Sequence, residues 1–347
     1  VIRTLSLFFS LVLVPVLCAQ TAPTYSPVVG FEKITISGTG GSGPAKLSFG
    51  AMPLVPILQA AGSMSSASGT TLADSTATWS NDQFNGSNGR HYLEIVSVHG
   101  STTASGVGTT YDIADTTAPG TLTLSRSLDS GVTAPLGYLI RKHWTLAAVF
   151  GVTNDSGLQG GTATTADQVH VWNKTGYDIY YYQTAGIGGT GWRKTGDQTT
   201  DASGTVIDPS NCLISKRGQS ASTTVTVLGA VKTGATRYDI TPGYNLVPNP
   251  NALAMTLASC GLYTGDAGTG VAGGTAASAD QVLLWNGSGY DTYYYQTSGI
   301  GGTGWRKTGD QTTDASTATI AVGTSFIVRR LHGGGFAWMI PQHPASF

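Results

Sequence analysis

Apolar and polar residues alternate along most of the chain in short runs. Leu93-Glu94-Ile95-Val96-Ser97-Val98, Thr121-Leu122-Thr123-Leu124, Gly137-Tyr138-Leu139-Ile140 and Val169-His170-Val171-Trp172 are examples. A period near two sends successive side chains to opposite faces of a strand, whereas an amphipathic helix needs apolar residues three and four apart. Gly, Ser, Asn and Asp punctuate the runs, and these are the residues that tight turns require. Strands joined by short turns are therefore predicted almost throughout. Only Thr145 to Phe150 and Ala252 to Ser259 read as short helices.

The pattern repeats. Residues 167–203 and 280–316 differ at six positions, at a constant offset of 113. The similarity continues more weakly from Leu213-Ile214-Ser215-Lys216-Arg217 to Phe326-Ile327-Val328-Arg329-Arg330. Upstream, Thr145-Leu146-Ala147-Ala148 matches Thr256-Leu257-Ala258-Ser259, and Met52-Pro53-Leu54-Val55-Pro56 resembles Asn245-Leu246-Val247-Pro248. Within each copy a strand, a turn at Asn173 to Gly176 (Asn286 to Gly289) and a Tyr-rich return strand make a hairpin. Trp192-Arg193-Lys194 (Trp305-Arg306-Lys307) starts a third strand after a glycine loop. The expected fold is all-β. Two homologous β-sandwich or barrel-like units, 28–59 plus 144–230 and 231–347, are expected, with a small β domain, 60–143, inserted in the first.

The N-terminus changes the picture of where the chain goes. Arg3 precedes an apolar run, Leu5 to Leu17, too short to span a bilayer comfortably, and Leu17-Cys18-Ala19 offers a small residue before a polar segment. A secretory signal peptide, residues 1–19, cleaved after Ala19, is expected, which places the protein outside the cell or at its surface. No later apolar stretch has spanning length, so no transmembrane segment is expected in the mature chain. The net charge of −1 and the lack of any Lys/Arg cluster argue against nucleic acid. Cys212 and Cys260 either pair in that oxidising compartment, where a loop of this size is worth roughly 4 kcal/mol, or fill the interior as two small hydrophobes.

Catalytic chemistry is not legible. Gly186 to Gly191 and Gly299 to Gly304 fit G-x-G-x-x-G, but a dinucleotide site needs that motif between a strand and a helix. Here it lies between two strands, so a hairpin loop and no cofactor are expected. The six histidines show neither H-x-x-x-H spacing nor a neighbouring cysteine cluster, so no metal site is indicated. No G-x-S-x-G elbow occurs. The repeated aromatics and acids are the most suggestive features. Tyr181, Trp192 and Asp197, with Tyr294, Trp305 and Asp310, are the candidate ligand-binding residues, because Tyr and Trp rings suit sugar faces and carboxylates accept from hydroxyls. Three consecutive tyrosines cannot share a face, so one of Tyr180, Tyr181 and Tyr182 is expected to point outward.

Several ordered stretches carry a family likeness. They are Val29-Gly30-Phe31, the phrase from Ser75 to Phe84 leading into Tyr92-Leu93-Glu94-Ile95, and Tyr138 to Leu146 running into Val149-Phe150-Gly151. Asp167-Gln168-Val169 before the Tyr-rich hairpin and Phe326 to Arg330 complete the set. In this order the chain resembles an uncharacterised family of secreted, internally duplicated β-rich proteins of Verrucomicrobia and related bacteria. The resemblance implies export and β structure and carries over no catalytic residue. Proteins exported by such bacteria often end in a short sorting anchor, and the ending Met339-Ile340-Pro341-Gln342-His343-Pro344, without apolar helix and basic tail, gives no expectation of one. The function expected is a secreted or cell-surface, non-enzymatic structural or interaction protein that self-associates. The alternative is an extracellular polysaccharide-binding protein, and the third reading is a secreted hydrolase.

Overall fold

The period-two runs pair as antiparallel ladders. The computed structural model describes residues 28–173, 176–209 and 213–340. The segment read as a secretory signal, and Cys212, lie outside the described residues. The described chain is nearly all β, with one α-helix, Leu146–Phe150, and one 3-10 turn, Gly86–Asn88.

A five-stranded sheet is built in the order Gly191–Lys194, Tyr177–Gln183, Gln168–Trp172, Leu213–Arg217, Lys46–Gly50. A second has the same order in Gly304–Lys307, Tyr290–Gln296, Gln281–Trp285, Ser325–Arg330, Gly243–Pro248. Val169 stands opposite Tyr180 as Val282 stands opposite Tyr293. A smaller sheet closes each core. Ile36, Val225 and Val227 come from the strands Val29–Ile36 and Thr223–Val231, and they share one cluster with Val169, Tyr180, Trp192 and Leu213. Ile240, Phe336, Trp338 and Ile340 do the same for Val282, Trp305, Phe326 and Val328.

Ladder register corrects one correspondence between the copies. Gly50 lies opposite Leu213, and Val247 opposite Phe326, so Lys46–Gly50 is the counterpart of Gly243 to Val247. The likeness of Met52-Pro53-Leu54-Val55-Pro56 to Asn245 to Pro248 is a shared apolar-proline run out of register with the ladder. The second short helix is also absent. Thr145 caps the helix Leu146–Phe150 by accepting from the Ala148 amide at 3.2 Å. Thr256 accepts from Ser259 in the same way, but Gly261, at φ 71°, stands where the first copy has Phe150 and ends the segment after one turn.

Residues Leu58 to Lys142 form a seven-stranded sheet whose two edge strands, Leu58–Met64 and Ser66–Ser68, are separated in the chain by Ser65 alone. One strand running directly into the other forces the sheet to curl almost into a barrel. Met64, Leu72, Leu93, Ile95, Tyr111, Leu122 and Ile140 fill it, and Tyr138 donates to the Asp74 carboxylate at 2.7 Å. On the strand His91–Val98, Leu93 and Ile95 point into this core while Tyr92 and Glu94 point out, yet Tyr92 and Glu94 are buried too. They are covered because the outer face of the barrel docks against the repeats. Arg141 donates to the Pro56 carbonyl at 2.7 Å, and Glu94 pairs with Lys232 in the segment joining the two repeats. The repeats also touch each other: Phe49 of the first packs at 5.0 Å from Trp285 and 5.7 Å from Tyr290 of the second.

Candidate functional site

The residues singled out as ligand platforms are interior. Tyr181, Trp192, Tyr294 and Trp305 are all buried, Tyr181 and Tyr294 completely. Trp192 faces the sandwich core, where its indole N–H donates to the Gly151 carbonyl at 2.9 Å and its ring meets Phe150. Tyr181 lies on the opposite face of the same sheet, under the folded glycine loop. Its hydroxyl donates to Gln183 Oε1 at 3.1 Å, and Gln183 Nε2 donates to the Gly189 and Gln198 carbonyls at 2.9 and 3.3 Å. Arg193 lies alongside, with Nε donating to Gln198 O at 2.9 Å and Nη2 to Gly188 O. The loop closes this tightly because Gly188 carries no side chain: a Cβ there would sit 1.9 Å from the Gln198 carbonyl oxygen. Gly186 and Gly191 adopt φ of 146°, which L side chains rarely reach. The second copy repeats the loop contacts, from Tyr294 to Gln296 at 3.1 Å to a Cβ on Gly301 that would lie 2.0 Å from Gln311 O.

One expectation is thereby corrected. None of Tyr180, Tyr181 and Tyr182 is exposed, because the core covers one face of the strand and the glycine loop covers the other. Asp197 and Asp310 each shape a turn through one carboxylate oxygen. Asp197 Oδ1 accepts from the Thr199 amide and hydroxyl and the Thr200 amide, each at 3.0 Å, and Asp310 holds Thr312 and Thr313 likewise. The hydrogen bonds from Thr200 first, then Thr199, hold the Asp197 carboxyl well below the ordinary range. The pairing of Cys212 with Cys260 falls outside the described residues. Cys260 itself is buried 3.3 Å from the Leu257 carbonyl oxygen, and burial pushes its thiol up to about 11.

The feature that can take a ligand lies elsewhere. A cleft of about 670 Å3 opens where the barrel meets both repeats. The barrel contributes Asp112 and Arg126, the first repeat Trp172 and Asp208, and the second Arg237, Asp239, Tyr244 and Asn245. Trp172 is half-buried at the end of its hairpin strand, its ring 4.9 Å from Tyr177. Tyr244 is 63% exposed, with the Arg329 guanidinium 5.2 Å from its ring centroid. Arg237 reaches Asp239 at 3.2 Å, and its buried Nε has no hydrogen-bond partner, nor has the buried Thr109 hydroxyl in the same wall. At one end, His143 Nε2 lies 2.9 Å from Asp112 Oδ1 while Arg90 holds Oδ2 at 2.5 Å. Burial pushes the Asp112 carboxyl up, but His143 and Arg90 outweigh it and hold the group below its ordinary value.

Sequence reasoning missed this cleft because its members are far apart in the chain and all but Trp172 lie outside the repeated motif. Histidine spacing does not reveal that His143 meets Asp112, since His143 follows the strand Leu136–Lys142 and Asp112 lies on the strand Thr110–Thr117. Only one signal was available. Trp172 belongs to the repeat but occupies a hairpin end, where a strand residue has fewer neighbours to cover it.

Comparison of the chain with family models, with curated proteins and with solved structures returns no match. No helix among the described residues is long and apolar enough to cross a membrane.

Proposed function

We propose that this is an exported, non-enzymatic binding protein that holds a glycan in the cleft between the barrel and the repeats. One observation carries the reading: the Trp172 and Tyr244 rings border the same polar cleft, beside the unpartnered Nε of Arg237. Sugar rings have apolar faces and hydroxyl edges. They suit aromatic platforms flanked by carboxylates, amides and guanidinium groups, and Asp112, Asp208, Asp239 and Asn245 supply the acceptors. The apolar run from Leu5 to Leu17 supports a location outside the cell, where polysaccharide is met. Affinity electrophoresis in gels containing polysaccharides, followed by a glycan array, tests the proposal. Tyr244→Ala and Trp172→Ala are each expected to lose about 1 kcal/mol, roughly fivefold in affinity, for the glycan that retards the parent chain. Full retention of binding by the double variant would sink the reading.

A second reading, self-association, is favoured by a separate patch. On the outer face of the three-stranded sheet Phe31 stands directly opposite Leu228, 63% and 71% exposed, beside exposed Val29. Such a cross-strand apolar pair facing water suits contact with another copy. Light scattering across a concentration series is expected to show growth that Leu228→Glu abolishes. A monomer at every concentration would remove this reading and leave the glycan proposal standing.

A further inference from the structure

We propose that Asp112, His143 and Asp208 form a binding site for one divalent transition-metal ion, Zn2+ by the nature of the donors, in the wall of the cleft. The three come from distant parts of the chain: the barrel strand Thr110–Thr117, the residue joining the barrel to the first repeat, and the segment after Val206–Ile207. One His143 ring nitrogen and one carboxylate oxygen from each aspartate lie within 4.8 Å of one another. Tetrahedral Zn2+ with nitrogen and oxygen ligands sets its donor atoms about 3.3 Å apart, and the His143–Asp112 pair at 2.9 Å is already near that spacing. An imidazole with two carboxylates suits Zn2+ or a close transition metal, whereas Ca2+ takes six to eight oxygens. Asp112 and Asp208 also line the open cleft, so a fourth position faces solvent.

Independent support comes from the buried groups around the cluster. The Tyr92 side chain is nearly fully buried and its hydroxyl has no hydrogen-bond partner. Tyr92 pairs across the ladder with Asp112, so the two share a face, and its ring centroid is 4.9 Å from that of His143. His143 is equally enclosed, with 1% of its side chain exposed. Enclosed polar atoms left unmatched in a native fold call for a missing partner. Two cationic groups stand close. Arg141, opposite Tyr92, donates to the Pro56 carbonyl, while Arg90 lies on Asp112 with 59% of its side chain exposed and therefore competes with a metal for that carboxylate.

The site does not depend on the glycan reading, and its test contains no saccharide. Co2+ titrated into the full, metal-free chain is expected to give visible d–d absorption at one equivalent, which Zn2+ then displaces. His143→Gln and Asp208→Asn are each expected to weaken Zn2+ binding in calorimetry by more than about tenfold. Arg90→Gln, a change at an exposed side chain, is expected to fold as the parent does and to bind Zn2+ more tightly, a gain that a purely structural Asp112–His143 contact does not produce. Absent d–d bands, or parental affinity in both ligand variants, or no tightening in Arg90→Gln, would overturn the proposal.

Discussion

Asp280→Ala is expected to destabilise the second repeat by about 3–5 kcal/mol, the cost of leaving one member of a buried ion pair alone. Asp280 Oδ2 lies 2.6 Å from Arg330 Nη1, and both side chains are almost entirely enclosed. The carboxylate also accepts from the Ala272 amide at 2.7 Å and the Leu331 amide at 2.6 Å, and Arg330 donates onward to the Gly334 and Ala267 carbonyls. One carboxylate thus ties the segment at Ala272 to the end of the ladder between Gln281–Trp285 and Ser325–Arg330. Burial pushes Asp280 up, but the amides of Ala272 and Leu331, with Arg330 and His332, outweigh it and leave the carboxyl below its ordinary value. A depressed carboxyl stabilises the fold at pH above its unfolded value near 4 and ceases to do so as pH falls through the folded value, so the parent's stability should decline on acidification below about pH 4. Urea titrations at pH 7 and pH 3 check both statements. The difference between parent and Asp280→Ala should be large at pH 7 and smaller at pH 3. A midpoint at pH 7 indistinguishable from the parent's would show that the pair is structurally idle. The first repeat carries the same device, Asp167 with Arg217 at 2.5 Å, so it should survive in Asp280→Ala, with amide exchange rising over Gln281–Trp285 and not over Gln168–Trp172.

The second large effect is expected where the barrel meets the linker between the repeats. Lys232 follows the strand Thr223–Val231 and places its ammonium against the Glu94 carboxylate, with both side chains under one-tenth exposed. Glu94→Ala leaves the lysine enclosed without its carboxylate, and a loss of about 3–5 kcal/mol is expected. The double change Glu94→Leu, Lys232→Met should recover much of that loss, since an apolar pair avoids desolvating two charges. Burial pushes the Lys232 ammonium down to about 7. Between that value and the unfolded value near 10.4 the unfolded chain binds a proton that the folded chain lacks, so stability should rise with pH across this window. Below about pH 7 both states are protonated and the cost of burying the charge is present in full. Denaturant midpoints at pH 7 and pH 9.5 measure the rise. A flat profile in the parent, or a double variant no better than Glu94→Ala, would contradict this account.

Much of the fold is legible residue by residue. The period-two run Val169-His170-Val171-Trp172, the glycine-bearing turn after it and the Tyr-rich return strand form the hairpin that the pattern predicts, and Gly186 to Gly191 is the strand-to-strand loop its neighbours imply. Alternation is a property of adjacent residues and needs no tertiary information. The candidate site was not legible, for a related reason. The pattern shows which residues share a face but not what covers it. Tyr181 sits on the face opposite the sandwich core and would be exposed in an isolated sheet. The loop folded over it, with Arg193 and Gln183 inside, makes it interior. Even the repeat's near-identity misled, because Trp192, Arg193, Gly188 and Asp197 are matched in the second copy by residues with the same packing, turn and hydrogen-bonding roles.

By itself, the sequence determined the all-β class, the paired copies at an offset of 113, the strands and turns within each, and the apolar run at the N-terminus. These depend on local periodicity, turn chemistry and self-similarity, which are all written along the chain. Only the tertiary structure decided that the segment between the halves of the first repeat curls into a barrel and docks against both repeats, and that the cleft between them gathers Asp112, Asp208, Trp172 and Tyr244, with His143 enclosed behind Asp112. Those juxtapositions follow from long-range packing of one sheet's outer face on another, and adjacency of that kind leaves no period in the sequence.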